Sequence, residues 1–161
     1  DTVVALDDRI LGKPLDAADA VAMLVALRGR WHRVWTGLVV LDMRGGTEEG
    51  GGRTEGRSPH SPHFTLHAVV ATYVLMRDYT DAEIAAYVAT GDPLDKAAAY
   101  AIQHADFHPV MQIVGCHANV MGLPLCPLYA LLAQAGVTPP VFPATACPAC
   151  LGIVSQLATE H

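Results

Sequence analysis

The sequence has 161 residues, of which 52% are hydrophobic and 16% are charged. This length and composition predict one folded domain with a real core and exclude a disordered chain. The formal net charge is −6 and only ten lysines and arginines are present, so nucleic acid is not an expected partner. The longest apolar stretches, such as residues 68–76, are about half as long as a bilayer span. We therefore expect no membrane partner and a cytoplasmic protein.

A β-hairpin is predicted at the start of the chain. Residues 3–6 form its first arm, two aspartates form the turn, and residues 9–11 form the second arm. This hairpin places the carboxylate of Asp1 before one arm and the ammonium group of Lys13 after the other. Because the sequence starts with Asp rather than Met, directly before a strand, we expect the full protein to extend upstream.

A helix, two strands and a long polar segment follow the hairpin. Asp16 is expected to cap a helix over residues 17–27, and residues 31–42 and 64–76 have strand character. Between these strands, residues 43–63 are dominated by Gly, Glu, Arg, Ser and Pro. Such a composition cannot bury enough apolar surface to order itself. We therefore predict a flexible insertion within one domain.

The second half of the chain alternates helices and strands. Residues 80–83, Thr-Asp-Ala-Glu, form a capping box for a helix that Gly91 ends. The alanine-rich residues 96–103 predict another helix, residues 110–114 a strand, and residues 123–135 a helix with proline in its first turn. The order of these elements has no regular βαβ rhythm. It predicts an α/β protein with a mixed sheet and flanking helices.

Four polar residues lie in or beside unusually apolar segments, namely Asp1, Lys13, Lys96 and Gln103. Burying any of them without a partner would be costly, and a shared cleft would remove that cost. A carboxylate for a cation or a water, ammonium groups for phosphate oxygens and an amide for a base edge suit phosphoryl hydrolysis. On spacing alone, the alternative interpretation is a turn carboxylate at Asp1, a solvated loop lysine at Lys13 and a lysine at a helix start, beside Asp95, at position 96.

Five blocks of the sequence together resemble one protein family. They are Asp1-Thr2-Val3-Val4, Leu11-Gly12-Lys13-Pro14 and residues 80–88, 95–103 and 119–125. In this order they resemble the Maf family of nucleoside triphosphate pyrophosphatases over residues 1–136. The resemblance implies a two-lobed, inosine-triphosphatase-like fold with a nucleotide cleft between the lobes. It also implies metal-dependent hydrolysis of a nucleoside triphosphate to the monophosphate and pyrophosphate.

The resemblance implies roles for five residues. Asp1 looks like the family's proton-accepting catalytic aspartate, which would also hold a magnesium or manganese ion. Lys13 resembles the loop lysine that meets the phosphates, and Lys96 resembles the basic residue of the Asp-Lys-Ala block in the same cleft. Thr2 and Gln103 fall where the family sets its base preference, and both match the branch that acts on dTTP and UTP.

The sequence also departs from the family pattern. It does not contain the Ser-x-Ser-Pro-Arg-Arg phosphate loop, so we expect little activity from residues 1–161 alone. Ala98 replaces a glycine, which is compatible with a helical backbone, and residues 137–161, with a Cys-x-x-Cys pair, are predicted to be a tail without a family counterpart. The alternative functions are 7-methyl-GTP hydrolysis and non-catalytic nucleotide binding in the regulation of cell division. A homodimer is compatible with the resemblance.

Overall fold

The computed structural model describes residues 1–42, 65–137 and 139–140. Within these ranges the chain forms a single sheet with helices packed against it. The elements in chain order are β1 (Thr2–Leu6), β2 (Arg9–Leu11), α1 (Ala17–Leu27), β3 (Trp31–Leu41), β4 (Thr65–Met76), α2 (Asp81–Ala89), two 3-10 turns (Asp92–Asp95 and Ala97–Ala99), β5 (Val110–Val114), α3 (His117–Val120) and α4 (Leu125–Gln134).

The five strands lie in the order β2-β1-β3-β4-β5, and each neighbouring pair is antiparallel. The longest pairing joins β3 to β4, from Trp31 opposite Leu75 to Leu41 opposite Thr65. The predicted α/β class with flanking helices is therefore confirmed, with a sheet that is antiparallel throughout the described strands. The two-lobed, inosine-triphosphatase-like architecture stays a prediction.

The core lies between one face of the sheet and the helices. Alternate residues of β1, β3 and β4 point into it, and α1 and α2 each bury one apolar stripe against it. The buried sheet positions are Val4, Leu6, Leu11, His32, Val34, Thr36, Leu38, Val70, Thr72, Val74 and Met76. Three of these residues are polar: the two threonines belong to the hydrogen-bond network described below, and His32 contacts the hydroxyl of Tyr100.

Helices α1 and α2 begin where their capping residues predict. The carboxylate of Asp16 accepts a hydrogen bond from the amide of Asp19 at the start of α1 (2.8 Å). At α2 the capping box is complete, because Thr80 and Glu83 each accept a hydrogen bond from the other's backbone amide. These contacts satisfy amides that the first helical turn leaves without partners.

The predicted helix over residues 96–103 is wrong. Only a short 3-10 turn, Ala97–Ala99, forms there, and Ala98 and Ala99 have φ angles of 59° and 60°. The amide of Ala98 donates instead to the carbonyl of Gly12 (2.8 Å), so a long-range bond replaces the helical one. Left-handed backbone costs an L-residue about 1–2 kcal/mol, which explains why a glycine would suit position 98. The helical backbone expected for Ala98 is not present.

Several predictions fall on residues outside the described ranges. These are the flexible insertion over residues 43–63 and the tail with its cysteine pair, apart from its first few residues. The division into a domain over residues 1–136 and a tail therefore stays a prediction. Among the described helices, none has the length and apolar character needed to cross a bilayer.

Candidate functional site

A cavity of about 240 Å³ lies between the buried face of the sheet and the segments that follow α2 and α3. Its floor comes from β1 and β3, one wall from the residues around the second 3-10 turn, and the other wall from the end of α3 and the residues after it. The lining residues are Thr2, Val4, Val34, Asp95, Lys96, Ala97, Tyr100, Ala101, Ile102, Gln103, Val120, Met121 and Gly122. Three of the five predicted site residues, Thr2, Lys96 and Gln103, meet here although they are far apart in sequence.

The left-handed turn at Ala98 and Ala99 explains how one short segment supplies a whole wall of the cavity. In a continuous α-helix, residues 96 and 103 would lie about 10 Å apart along one rod. The turn and the extended backbone at Tyr100 (φ −145°) instead let Lys96, Ala97 and residues 100–103 all line the cavity. The anchor of this turn to Gly12 fixes the wall against the loop that carries Lys13.

Lys96 is the cation inside the cavity, and two carboxylates hold it. Its Nζ atom lies 2.6 Å from Oδ1 of Asp95 and 3.3 Å from Oδ1 of Asp92. The hydrogen bond to Asp95 raises the pKa of Lys96 and, in turn, lowers the pKa of the Asp95 carboxyl. Lys96 is therefore charged at neutral pH. An anionic ligand would have to share this ammonium group with the two carboxylates or displace them.

Asp1 and Lys13 do not line the cavity. Asp1 is exposed, and its Oδ1 atom accepts a hydrogen bond from the amide of Thr2, which does line it (2.7 Å). Lys13 is exposed on the loop after β2, and its charge contributes to the lowered pKa of Asp95, behind the larger effect of Lys96. The two residues therefore sit beside the cavity rather than within it.

A buried hydrogen-bond network underlies Thr2. Its hydroxyl lies 2.8 Å from that of Thr36, which donates to the backbone carbonyl of Asn119 (3.3 Å). The side-chain amide of Asn119 donates to the carbonyl of Val34 (3.1 Å) and the hydroxyl of Thr72 (2.9 Å). Asn119 and Thr72 are fully buried. Residues 120–122, which line the cavity, are thereby tied to the sheet.

No role was predicted from the sequence for Thr36, Thr72 or Asn119. A threonine in a strand is ordinary, because β-branched residues favour strands, so Thr36 and Thr72 carry no distinguishing pattern. Asn119 does carry a signal: it is an amide among apolar residues at the start of the last family block. An amide in such a setting needs buried partners.

The cavity wall also rests on a buried histidine. Nε2 of His32 lies 2.7 Å from the hydroxyl of Tyr100, and the two rings meet edge to face at 84°. Burial lowers the pKa of His32 to about 4, and burial also raises the pKa of Tyr100. Both groups are therefore neutral at physiological pH, and the pair serves to position the Tyr100 ring.

The described residues contain no cluster of three or more His, Cys, Asp or Glu side chains that could hold a metal by themselves. A magnesium ion, however, usually keeps several waters and binds one or two carboxylates together with substrate phosphates. The exposed carboxylate of Asp1, beside the cavity, fits that limited role as one protein ligand.

The cavity brings together the ammonium group of Lys96, the hydroxyl of Thr2 and the carboxamide of Gln103, and a pocket with a few convergent polar groups is typical of a small-molecule site. More specifically, the chain belongs to the family described as Maf-like protein, whose model matches residues 1–135. This result confirms the family named from the five sequence blocks.

Curated relatives agree with this assignment. The chain is 44% identical over 136 residues to a protein of Thermomicrobium roseum named dTTP/UTP pyrophosphatase, covering 84% of this chain and 54% of the relative. Proteins of the same name from Dictyoglomus turgidum (43%) and Nitratidesulfovibrio vulgaris (46%) are matched over 84% of this chain and 62% and 56% of their own lengths. The chain thus spans less than two thirds of each of these relatives.

Proposed function

We propose that the full-length protein hydrolyses dTTP and UTP to the monophosphate and pyrophosphate. The observation that carries this proposal is the meeting of Thr2, Lys96 and Gln103 in one cavity. A hydroxyl and a carboxamide can hydrogen-bond a pyrimidine edge, and the ammonium group can neutralise phosphate oxygens. The names of the relatives support the same substrates.

The proposed roles follow from position. Thr2 and Gln103 bind the base, while Lys96, joined by Lys13 from the neighbouring loop, binds the phosphates. Asp1 accepts the proton of the attacking water, which its exposed position at the cavity edge allows.

A divalent cation is part of the proposal, with Asp1 as its ligand from the described chain. Bound there with the substrate phosphates, magnesium or manganese would neutralise charge that develops on phosphoryl oxygens. The remaining partners proposed are the nucleoside triphosphate and, for the protein itself, a second copy of the chain. A cytoplasmic location is proposed because nucleoside triphosphates are the substrates.

Release of pyrophosphate from dTTP, UTP and 7-methyl-GTP tests the activity, with magnesium present and the full-length protein as enzyme. Turnover of dTTP and UTP above 7-methyl-GTP is the expected result. Preference for 7-methyl-GTP would overturn the substrate assignment. Micromolar nucleotide binding by calorimetry without any hydrolysis would instead support the non-catalytic regulator. Residues 1–161 alone, measured in parallel, are expected to have little activity.

A matched pair of variants tests the role of Asp1. Asp1→Asn keeps the size of the side chain but cannot accept a proton, so kcat should fall by about 100-fold or more. Asp8→Asn makes the same change on an exposed residue in the hairpin turn and should leave kcat unchanged. Equal activity of the two variants would remove Asp1 from the mechanism.

A further inference from the structure

Thr36 stands directly behind the base-binding hydroxyl of the cavity without lining the cavity itself. It is 1% exposed, and it faces Thr2 as its cross-strand partner in the pairing of β1 with β3. The two hydroxyl oxygens lie 2.8 Å apart. Whether Thr36 donates or accepts in this contact therefore decides whether Thr2 can still donate a hydrogen bond to a ligand.

The direction of this contact follows from the next partner in the network. The backbone carbonyl of Asn119 can only accept, so Thr36 uses its single proton there, at 3.3 Å. The Thr36 oxygen then accepts the proton of Thr2, because a hydroxyl carries one donor and two lone pairs. Thr2, having given its proton to the protein interior, meets the cavity as an acceptor.

We infer that Thr36 is a positioning residue that makes Thr2 a hydrogen-bond acceptor and so selects bases with a ring N–H donor over cytosine. This inference rests on the proposed function. Uracil and thymine carry a proton on ring nitrogen N3, whereas N3 of cytosine is an acceptor. Two acceptors facing each other leave a desolvated polar atom without a partner, which is how such sites reject an analogue.

Gln103 cannot impose this choice alone. Its carboxamide offers both donors and an acceptor, and the side chain is exposed, so it can turn to suit either base. Thr2 has no such freedom. Access to its hydroxyl is kept open by Gly122, where an added methyl group would lie 3.6 Å from Oγ1 of Thr2.

The test compares kcat/KM for UTP and CTP in full-length wild-type protein, Thr36→Val and Thr36→Ser. We expect the wild type to prefer UTP by about tenfold or more, since a desolvated polar atom left without a partner lowers affinity by about fivefold to 100-fold. In Thr36→Val the proton of Thr2 is free to turn to the cavity. Activity on CTP should then rise while activity on UTP holds or falls, which lowers the preference by about tenfold. Thr36→Ser keeps the hydroxyl and should keep the preference.

Thr36→Val is nearly isosteric, and the carbonyl of Asn119 retains a hydrogen bond from the amide of Gly122 (3.0 Å). Should this variant fail to fold, as judged by circular dichroism, Thr36→Ala gives the same readout. A purely structural role would lower activity on both nucleotides alike, and that result would overturn the inference. Equal use of UTP and CTP by the wild type would also overturn it, with the proposed hydrolysis intact. If the wild type hydrolyses neither dTTP nor UTP, the proposed function is refuted instead.

Discussion

Replacing Asn119 by alanine should destabilise the protein by an amount that its contacts allow us to work out. The substitution removes two buried hydrogen bonds, at 3.1 Å to Val34 and 2.9 Å to Thr72, each worth about 1 kcal/mol. Loss of packing adds about 1 kcal/mol. The side-chain oxygen of Asn119 has no partner among the described residues, and its removal returns about 1 kcal/mol. The expected net loss is about 2 kcal/mol.

Urea unfolding of the full-length protein measures this loss. With a denaturant slope of about 2 kcal/mol per molar, the midpoint should fall by about 1 M. Gln112→Ala removes the same chemical group from an exposed position on β5 and should change stability by less than about 0.5 kcal/mol. Equal effects of the two substitutions would refute the reasoning that burial of the amide is what stabilises the fold.

Asn119→Asp separates the loss of hydrogen-bond donors from the loss of volume. At about pH 7 this variant places a carboxylate against two acceptors in a buried site, so it should be less stable than Asn119→Ala. Protonation lets the new side chain donate one hydrogen bond. Its stability relative to the wild type should therefore recover as the pH falls from about 7 to 5, because burial raises the pKa of such a carboxyl. A stability difference between Asn119→Asp and the wild type that does not change with pH would contradict the burial of this side chain against hydrogen-bond acceptors.

Two further predictions concern charged groups. Lys96→Met should lower kcat/KM by about 100-fold through loss of a phosphate contact. It should lower the free energy of unfolding, measured in urea, by less than about 1 kcal/mol, because the ion pairs of Lys96 are partly exposed. Arg30→Met, which breaks the surface pair with Asp7, should leave kcat/KM unchanged. An equal fall in kcat/KM in both variants would contradict the role of Lys96. Burial lowers the pKa of His32 in the folded protein to about 4. Below about pH 6.5 the His32 imidazole is therefore protonated in the unfolded chain but still neutral in the folded one. Stability should fall by about 2 kcal/mol between about pH 7 and 5. His32→Gln should lose that part of the pH dependence in urea titrations. An unchanged pH dependence would refute the assignment of this effect to the buried His32.

The elements that the sequence predicts correctly are those decided by local interactions. The capping box at Thr80 and Glu83 and the cap at Asp16 need only neighbours three residues away. The failure over residues 96–103 has a tertiary cause. Alanine favours a helix by itself, but the hydrogen bond from Ala98 to Gly12 and the burial of Ala98 and Ala99 favour a turn that no local pattern reveals.

The candidate site could be predicted only in part. Thr2, Lys96 and Gln103 could be identified by family resemblance, and the structure brings them into one cavity. The support behind them could not be found this way, because the roles of Thr36 and Asn119 depend on contacts between positions 83 residues apart. Pairing at that separation is fixed by the register of the sheet and the packing of α3 against it.

The long pairing of β3 with β4 has a practical consequence for engineering. Leu41 and Thr65 face each other at its end, and Val34, on the cavity floor, lies about 23 Å up the strand at about 3.3 Å per residue. Lengthening a connection between two such fixed ends costs only about 0.6 kcal/mol for each doubling of its length. The connection between residues 41 and 65 is therefore a place to insert a fluorescent reporter domain while the cavity beside Thr2 keeps its shape.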